Sequence, residues 1–148
     1  MVRVNLVDTS VWVPLLLSEH QFSAVARAWM AEVARPGEAA FCRATQQSVL
    51  RLLTTSAQFT PYERPMTNAQ AWAAYHELVA DERVSFVEEP AGVEAEWERL
   101  ASRRSASPKL WMDAYLAAFA IAGGYQFVTT DRGFGQHEGL DLVVLGER

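Results

Sequence analysis

The chain has little of what several protein classes require: it contains one cysteine, one lysine, three scattered histidines and no long uninterrupted apolar run. The single cysteine, Cys42, cannot form a disulfide within the chain, so we expect a reducing compartment, the cytoplasm. Pro14, Asp113 and Gly123 interrupt the longest apolar stretches, and no membrane-spanning segment is predicted. With no cluster of cysteine or histidine, a zinc site is not expected either.

The formal net charge of −5 argues against a protein that binds nucleic acid nonspecifically through a basic surface. The charge is unevenly distributed, because an acidic stretch at 81–98 is followed at once by a basic one. Both stretches fit solvated helix faces. The basic residues Arg103, Arg104 and Lys109 are also candidates for guiding a phosphate backbone.

Segments typical of strands and helices alternate along the 148 residues, a length that fits one domain, 1–148. This alternation indicates βαβ units, a parallel sheet and helices on both of its faces. Ser10 is expected to cap the first helix, Thr67 and Gln70 form a capping box, and Ser107-Pro108 is expected to open the last helix. Predicted strands occupy 3–8, 39–42, 84–88, 127–130 and 142–145, and predicted helices occupy 21–34, 45–55, 67–80, 91–103 and 108–123.

Three aspartates are candidates for one site. Asp8 ends the first strand in VRVNLVDTS, and Asp131 follows the fourth in FVTTDRG. Carboxyl ends of parallel strands meet at one edge of a sheet, where ligands bind. Asp113 lies in the apolar helix LWMDAYLAAFA, where a lone carboxylate needs a positive partner. Three carboxylates at this edge would repel one another unless a cation lay between them, and oxygen ligands suit Mg²⁺ or Mn²⁺.

Each aspartate also has a purely structural explanation. Asp8 could cap the helix that follows it, Asp131 could begin a turn, and Asp113 could face solvent. A shared site is excluded only if all three aspartates have purely structural roles. Neighbouring hydroxyls are candidates for orienting the carboxylates or metal-bound waters: Thr9, Ser10, Thr129 and Thr130.

The motifs LVDTSVW, DAYLAAFA and FVTTDRGF resemble those of PIN-domain ribonucleases, in particular the VapC toxins of bacterial toxin–antitoxin pairs. The resemblance extends over nearly the whole chain. It implies a PIN-like three-layer α/β/α fold with a central, mostly parallel five-stranded sheet, Mg²⁺-dependent RNA cleavage, homodimerisation and inhibition by a small VapB-like antitoxin. Asp8, Asp113 and Asp131 match the acidic residues of the family, as metal ligands and catalytic residues.

The chain departs from the family pattern after its second strand, where the family usually has a glutamate early in the next helix. Here that helix begins Thr45-Gln46-Gln47-Ser48. Gln46 is the best match and is expected to hydrogen-bond a metal-bound water without adding charge. A different alignment puts Ser48 at this position.

The predicted function is therefore endoribonucleolytic cleavage by metal-assisted phosphodiester hydrolysis. The missing glutamate supports an alternative, a catalytically weak PIN-fold module that binds RNA or protein. A phosphotransferase with Asp8 as nucleophile is a further alternative, although the chain offers only Lys109 as its lysine. Trp111, next but one to Asp113, is expected in the core rather than stacked on a base.

A homodimer is also expected, because several large apolar side chains exceed what a small domain needs to bury. The helix faces proposed for this contact carry Trp12, Leu15, Leu16 and Trp29.

Overall fold

The computed structural model describes residues 3–56, 59 and 63–146. Within them lies a five-stranded sheet in the order β3-β2-β1-β4-β5, in which every pair of neighbours is parallel. The predicted fold class, α/β with helices around a central parallel sheet, is confirmed. The strands are β1 (Asn5–Val7), β2 (Ala39–Phe41), β3 (Val84–Phe86), β4 (Gln126–Thr129) and β5 (Leu142–Val144), and the helices are α1 (Thr9–Leu16), α2 (Ser23–Glu32), α3 (Arg43–Leu53), α4 (Asn68–Ala80), α5 (Val93–Ala101) and α6 (Leu110–Gly123).

The central pair of strands determines where the candidate acids lie. β1 and β4 pair in register, with Val7 opposite Val128, and the backbone N–H of Asp8 donates to the carbonyl of Val128 at 2.8 Å. Val7 and Val128 are fully buried because helices cover both faces of the sheet. The chain therefore leaves both strands at the same edge, where Asp8 and Asp131 follow.

An aromatic stack fixes α1 and α4 against the sheet. The Trp12 ring lies parallel to that of Phe41 with centroids 4.0 Å apart, and Tyr75 meets Phe41 edge-on at 5.1 Å. Trp12 is fully buried, so the expectation that it contributes to a dimer contact is wrong. Its companions Leu15, Leu16 and Trp29 are half-buried and pack against the same core.

The helices predicted to begin at 21, 45 and 91 begin within two residues of those positions, and the caps expected for the first and last helices are wrong. Asp8, not Ser10, occupies the N-cap position of α1, and its side chain makes no capping hydrogen bond. The last helix begins at Leu110 rather than Pro108, because a turn precedes it. In that turn the carbonyl of Ser107 accepts from the N–H of Leu110 at 3.0 Å. Among the described residues, no helix combines the length and apolar character that crossing a membrane requires.

We expect Thr67→Ala to lower the free energy of unfolding by about 1 kcal/mol, because it removes the cap of α4. The Thr67 hydroxyl accepts from the N–H of Gln70 at 3.1 Å, and the Gln70 side chain accepts from the N–H of Thr67 at 2.9 Å. Urea denaturation measures the change. Ser18→Ala, which removes a hydroxyl from an exposed position just after α1, is the control and should lie within about 0.5 kcal/mol of the parent. Equal effects of the two variants would show that the cap contributes nothing.

Candidate active site at the carboxyl edge of the sheet

A hydrogen-bond network joins Asp8 to β4. Thr129 Oγ1 donates to Asp8 Oδ2 at 2.6 Å, and Ser10 Oγ donates to the same oxygen at 2.9 Å. Each hydroxyl also accepts a hydrogen bond from a backbone N–H at 3.0 Å. The N–H of Asp131 donates to Thr129 Oγ1, and the N–H of Thr130 donates to Ser10 Oγ. The two hydroxyl oxygens also lie 3.2 Å apart, but the shortest contact of each hydroxyl proton is with the Asp8 carboxylate. Asp8 Oδ1 takes no part in this network.

The ionisation of Asp8 is governed by opposing effects. Burial raises its pKa, while the hydrogen bonds from Thr129, Ser10 and the backbone of Thr9 lower it, and the charge of Asp131 raises it again. Burial prevails, and the pKa lies above the usual value for an aspartate. The hydroxyls are therefore poised to stabilise a charge that the surroundings otherwise disfavour.

Asp131 begins a turn close enough to the other two acids for its charge to affect them. Its Oδ1 accepts from the N–H of Gly133 at 2.8 Å, at the start of the 3-10 turn Arg132–Gln136. The turn explanation offered by the sequence therefore applies to Asp131, and it leaves Oδ2 outside that hydrogen bond. Asp131 also contributes to the raised pKa of Asp8 and of Asp113, so the three carboxylates share one electrostatic environment.

Asp113 lies in the first turn of α6 and is half-buried. Burial raises its pKa, and the charges of Asp8 and then Asp131 raise it further. The residues before it, Trp111 and Met112, are 56% and 58% exposed, so the expectation that Trp111 belongs to the core is wrong. Its indole packs edge-on against Trp97, whose own N–H donates to the Trp111 carbonyl at 2.9 Å.

The three aspartates suit a divalent cation by donor chemistry and charge. All offered donors are oxygen, which hard cations prefer, and a cation between the carboxylates would relieve the repulsion that raises two of their pKa values. Within the described ranges, no three acidic, histidine or cysteine side chains are already gathered tightly enough to hold a metal ion. Hydrogen bonds hold the carboxylates of Asp8 and Asp131 in place.

Two cavities adjoin Asp113. The first, which we call the Arg51 cavity, has a volume of about 530 Å³ and contains Asp8 and Asp113. The second, the Arg103 cavity, has a volume of about 560 Å³ and contains Asp113 but not Asp8. Of the residues that the structure describes, Asp113 alone lines both. Either volume is of the size that holds a small organic ligand.

Helix α3 presents one face to the Arg51 cavity. Ala44, Gln47, Ser48 and Arg51 line it, with the spacing of neighbours on one side of a helix. Gln46 does not line it. Gln46 is buried, its carbonyl accepts from Arg43 Nη1 at 2.6 Å, and its position favours the alternative alignment, in which Ser48 stands where the family has its acid.

Of the other site residues predicted from the sequence, some line a cavity beside Asp113 and others do not. Thr9 lines the Arg51 cavity, and Thr130 joins the network through its backbone N–H. Arg103 and Lys109 line the Arg103 cavity, whereas Arg104 is exposed and lines neither cavity.

Sequence reasoning missed Arg51, Gln47 and Met112 as residues around Asp8 and Asp113. A signal for the first two was present. Once Ser48 is taken to face the site, Arg51 falls three residues further along the same helical face, and Gln47 lies one turn before Arg51. No comparable pattern marks Met112, because it belongs to a helix that is apolar throughout most of its length.

Comparisons with known proteins agree with this architecture. The family model described as PIN domain matches residues 6–140. Ribonuclease VapC41 of Mycobacterium tuberculosis is 48% identical over 144 residues, which is 96% of this chain and 99% of that protein. Among solved structures, VapBC2 from Rickettsia felis, bound to a promoter DNA fragment, gives a TM-score of 0.69 at 12% identity, covering 96% of this chain and 98% of that one. VapC20 of M. tuberculosis, a toxin that cleaves the sarcin-ricin loop, gives 0.63 at 20% identity, covering 93% and 97%.

We expect Asp113→Asn to raise the melting temperature of the metal-free protein at neutral pH. A raised pKa means that the folded chain holds this proton more tightly than the unfolded chain does. The stability contributed by Asp113 is therefore complete below the pKa of an unfolded aspartate and is lost as pH rises through the folded pKa. Melting curves in chelator should separate variant from parent at pH 7 and converge below about pH 4.

Glu32→Gln, which removes an exposed carboxylate from α2, is the control for this measurement and should follow the parent at both pH values. A melting temperature that falls at pH 7 for Asp113→Asn would mean that its carboxylate has a favourable partner.

Proposed function

Since the chain belongs to the PIN-domain family and, within it, to the VapC ribonucleases, we propose that it is a toxin of a toxin–antitoxin pair. It cleaves RNA endonucleolytically by metal-assisted phosphodiester hydrolysis. The observation that carries the proposal is the arrangement at the carboxyl edge of the sheet, where Asp8 and Asp113 line one cavity and Thr129 joins Asp8 to the backbone of Asp131. Two cavities beside them leave room for the nucleotides that flank a scissile phosphate.

PIN-domain ribonucleases in general use a divalent metal ion, and here we propose Mg²⁺, with Mn²⁺ as a substitute. Asp8, Asp113 and Asp131 would hold it. When bound there, such an ion would supply Lewis-acid stabilisation of charge on the phosphoryl oxygens and would lower the pKa of a water molecule. These carboxylates are the only residues to which we assign direct contact with it.

The protein's own residues perform the remaining tasks. Thr129 and Ser10 keep one oxygen of Asp8 in place and favour its charged form. The N–H of Gly133 orients Asp131 in the same way. Asp113, half-buried and open to both cavities, would orient the attacking water in addition to holding the ion.

We propose a VapB-like antitoxin as the protein partner, because the chain belongs to the VapC group and shares its fold with a chain of the VapBC2 complex. We place the enzyme in the cytoplasm, where its RNA substrate is found, and its one cysteine, Cys42, is a buried free thiol. The homodimer stays a prediction. The exposed side chains of Trp72, Trp111 and Met112 are better candidates for its contact than Trp12.

We expect Asp8→Asn, Asp113→Asn and Asp131→Asn each to lower RNA cleavage at least about a hundredfold, because each removes a charged ligand. The assay incubates purified protein with total RNA in Mg²⁺ and then in chelator, and sequences the new ends. Asp81→Asn is a matched control, since Asp81 pairs with Arg83 away from this edge. Wild-type cleavage rates in any of the three variants would remove that aspartate from the site.

Cleavage that persists in chelator would overturn the metal mechanism. An absence of cleavage by the wild-type chain, with RNA binding retained, would instead favour the alternative of a catalytically weak binding module.

We expect Ser48→Glu to lower the Mg²⁺ concentration at which cleavage is half-maximal, because Ser48 lines the cavity that contains Asp8 and Asp113. An added carboxylate near a divalent ion attracts it more strongly than a hydroxyl does. Gln46→Glu is the matched control. Its new charge would lie beside Arg43, so the Mg²⁺ dependence should not change. A tighter Mg²⁺ dependence in Gln46→Glu alone would restore the first alignment.

A further inference from the structure

Cationic side chains flank the acidic centre on two sides. Arg51 lines the cavity that contains Asp8 and Asp113. Arg103 and Lys109 line the other cavity, which Asp113 also borders. Asp113 therefore borders two separate cavities that each contain a cationic side chain, in a chain whose net charge is −5.

Arg51 is available to an anion. It lies in the last turn of α3, and its side chain is exposed. Among the described residues, its guanidinium forms no salt bridge, unlike those of Arg3, Arg83 and Arg99. Arg51 lies one turn beyond Gln47 on the same helical face, so it extends the row of side chains that leads away from Asp8.

The second basic position is built differently. Arg103 Nη2 donates to Gln136 Oε1 at 2.9 Å, and the Gln136 amide donates to the carbonyl of Gly133 at 3.0 Å. This chain of contacts joins Arg103 to the turn that begins at Asp131. Gln136 neutralises no charge, so Arg103 keeps its full positive charge while its position is tied to an active-site turn. Lys109, exposed immediately before α6, adds a second cation to the same cavity.

We propose that single-stranded RNA crosses the site with the scissile phosphate at Asp113, held on one side by Arg51 and on the opposite side by Arg103 and Lys109. This assignment rests on the proposed function. Each cavity then holds a nucleotide adjoining the cleaved bond, and its cation contacts a phosphate on that side only. The arrangement solves an electrostatic problem, because an acidic centre repels a polyanion unless cations beyond it hold the strand in place.

Salt dependence of binding tests the contacts without requiring cleavage. Binding of a single-stranded RNA 12-mer is measured in chelator at several salt concentrations for the parent, Arg51→Gln, Arg103→Gln and Lys109→Gln. Log affinity decreases with log salt, and we expect this negative slope to become less steep by ~0.7 for each phosphate contact that a variant removes. Arg27→Gln removes the same charge from an exposed position on α2 and should leave the slope unchanged. Melting curves verify that each variant is folded.

A second measurement tests the two-sided placement. In an RNA that the parent cleaves at one mapped bond, a single phosphate is made neutral as a methylphosphonate, either 5′ or 3′ of that bond. We expect Arg51→Gln to slow cleavage roughly fivefold in the charged RNA and to cost nothing once the phosphate on its own side is neutral. Arg103→Gln should behave in the same way toward the other side.

The outcomes separate the two proposals. If the parent cleaves normally but both arginine variants respond to the same modified phosphate, the two-sided placement is overturned and the nuclease stands. The same holds if the parent cleaves normally and the salt slopes of both variants equal that of Arg27→Gln. Reduced slopes for Arg51→Gln and Arg103→Gln in a chain that cleaves no RNA would support the basic contacts and overturn the nuclease.

Discussion

The hydrogen bonds that Thr129 and Ser10 donate to Asp8 are the interaction on which the rest of the site depends. The bond from Thr129 joins two strands that are far apart in the sequence, and it forms only because β1 and β4 pair in parallel with Val7 opposite Val128. The same hydroxyls accept the backbone N–H groups of Thr130 and Asp131, so the direction in which the chain leaves β4 is fixed together with Asp8. A shift of one residue in this register would turn Thr129 to the opposite face of the sheet and break the connection.

The network holds a carboxylate in a place that disfavours its charge. Burial raises the pKa of Asp8, and the pKa of Asp113 is raised first by burial and then by the charges of Asp8 and Asp131. A fold selected for stability alone would not gather three acids at one edge. Their presence together is explained if this edge binds a cation and a phosphate. Repulsion among the carboxylates is relieved when a positive ion binds, and that relief adds to the affinity for the ion.

A nuclease with an acidic surface must still attract a polyanion. The cations that line the cavities beside the acids are Arg51 at the end of α3 and Arg103 and Lys109 before α6. Exposed charges separated by more than about 10 Å are largely screened at physiological salt. The position of these few side chains beside the acids therefore matters more for RNA than the overall charge of −5.

The sequence by itself determined the architecture and the acids. Alternating apolar strands and amphipathic helices specify a parallel sheet, and Asp8 and Asp131 follow strands whose carboxyl ends share an edge. The assignment of roles to these acids is still a prediction. The tertiary structure decided which neighbours serve them. Thr129, not Thr130, supplies the hydroxyl to Asp8, because strand pairing and not sequence adjacency selects the side chain that reaches it.

The sequence likewise could not predict which face each helix turns toward the core or how distant segments pack together. Gln46, Gln47 and Ser48 are adjacent polar residues, and only the packing of α3 against α1 and α4 shows which of them turn toward the cavity. Trp12 and Trp111 are both tryptophans in apolar helices, yet the first is fully buried against Phe41 and the second is 56% exposed. Local composition cannot distinguish these cases, because burial depends on which other element covers each face, and that is a property of the assembled fold.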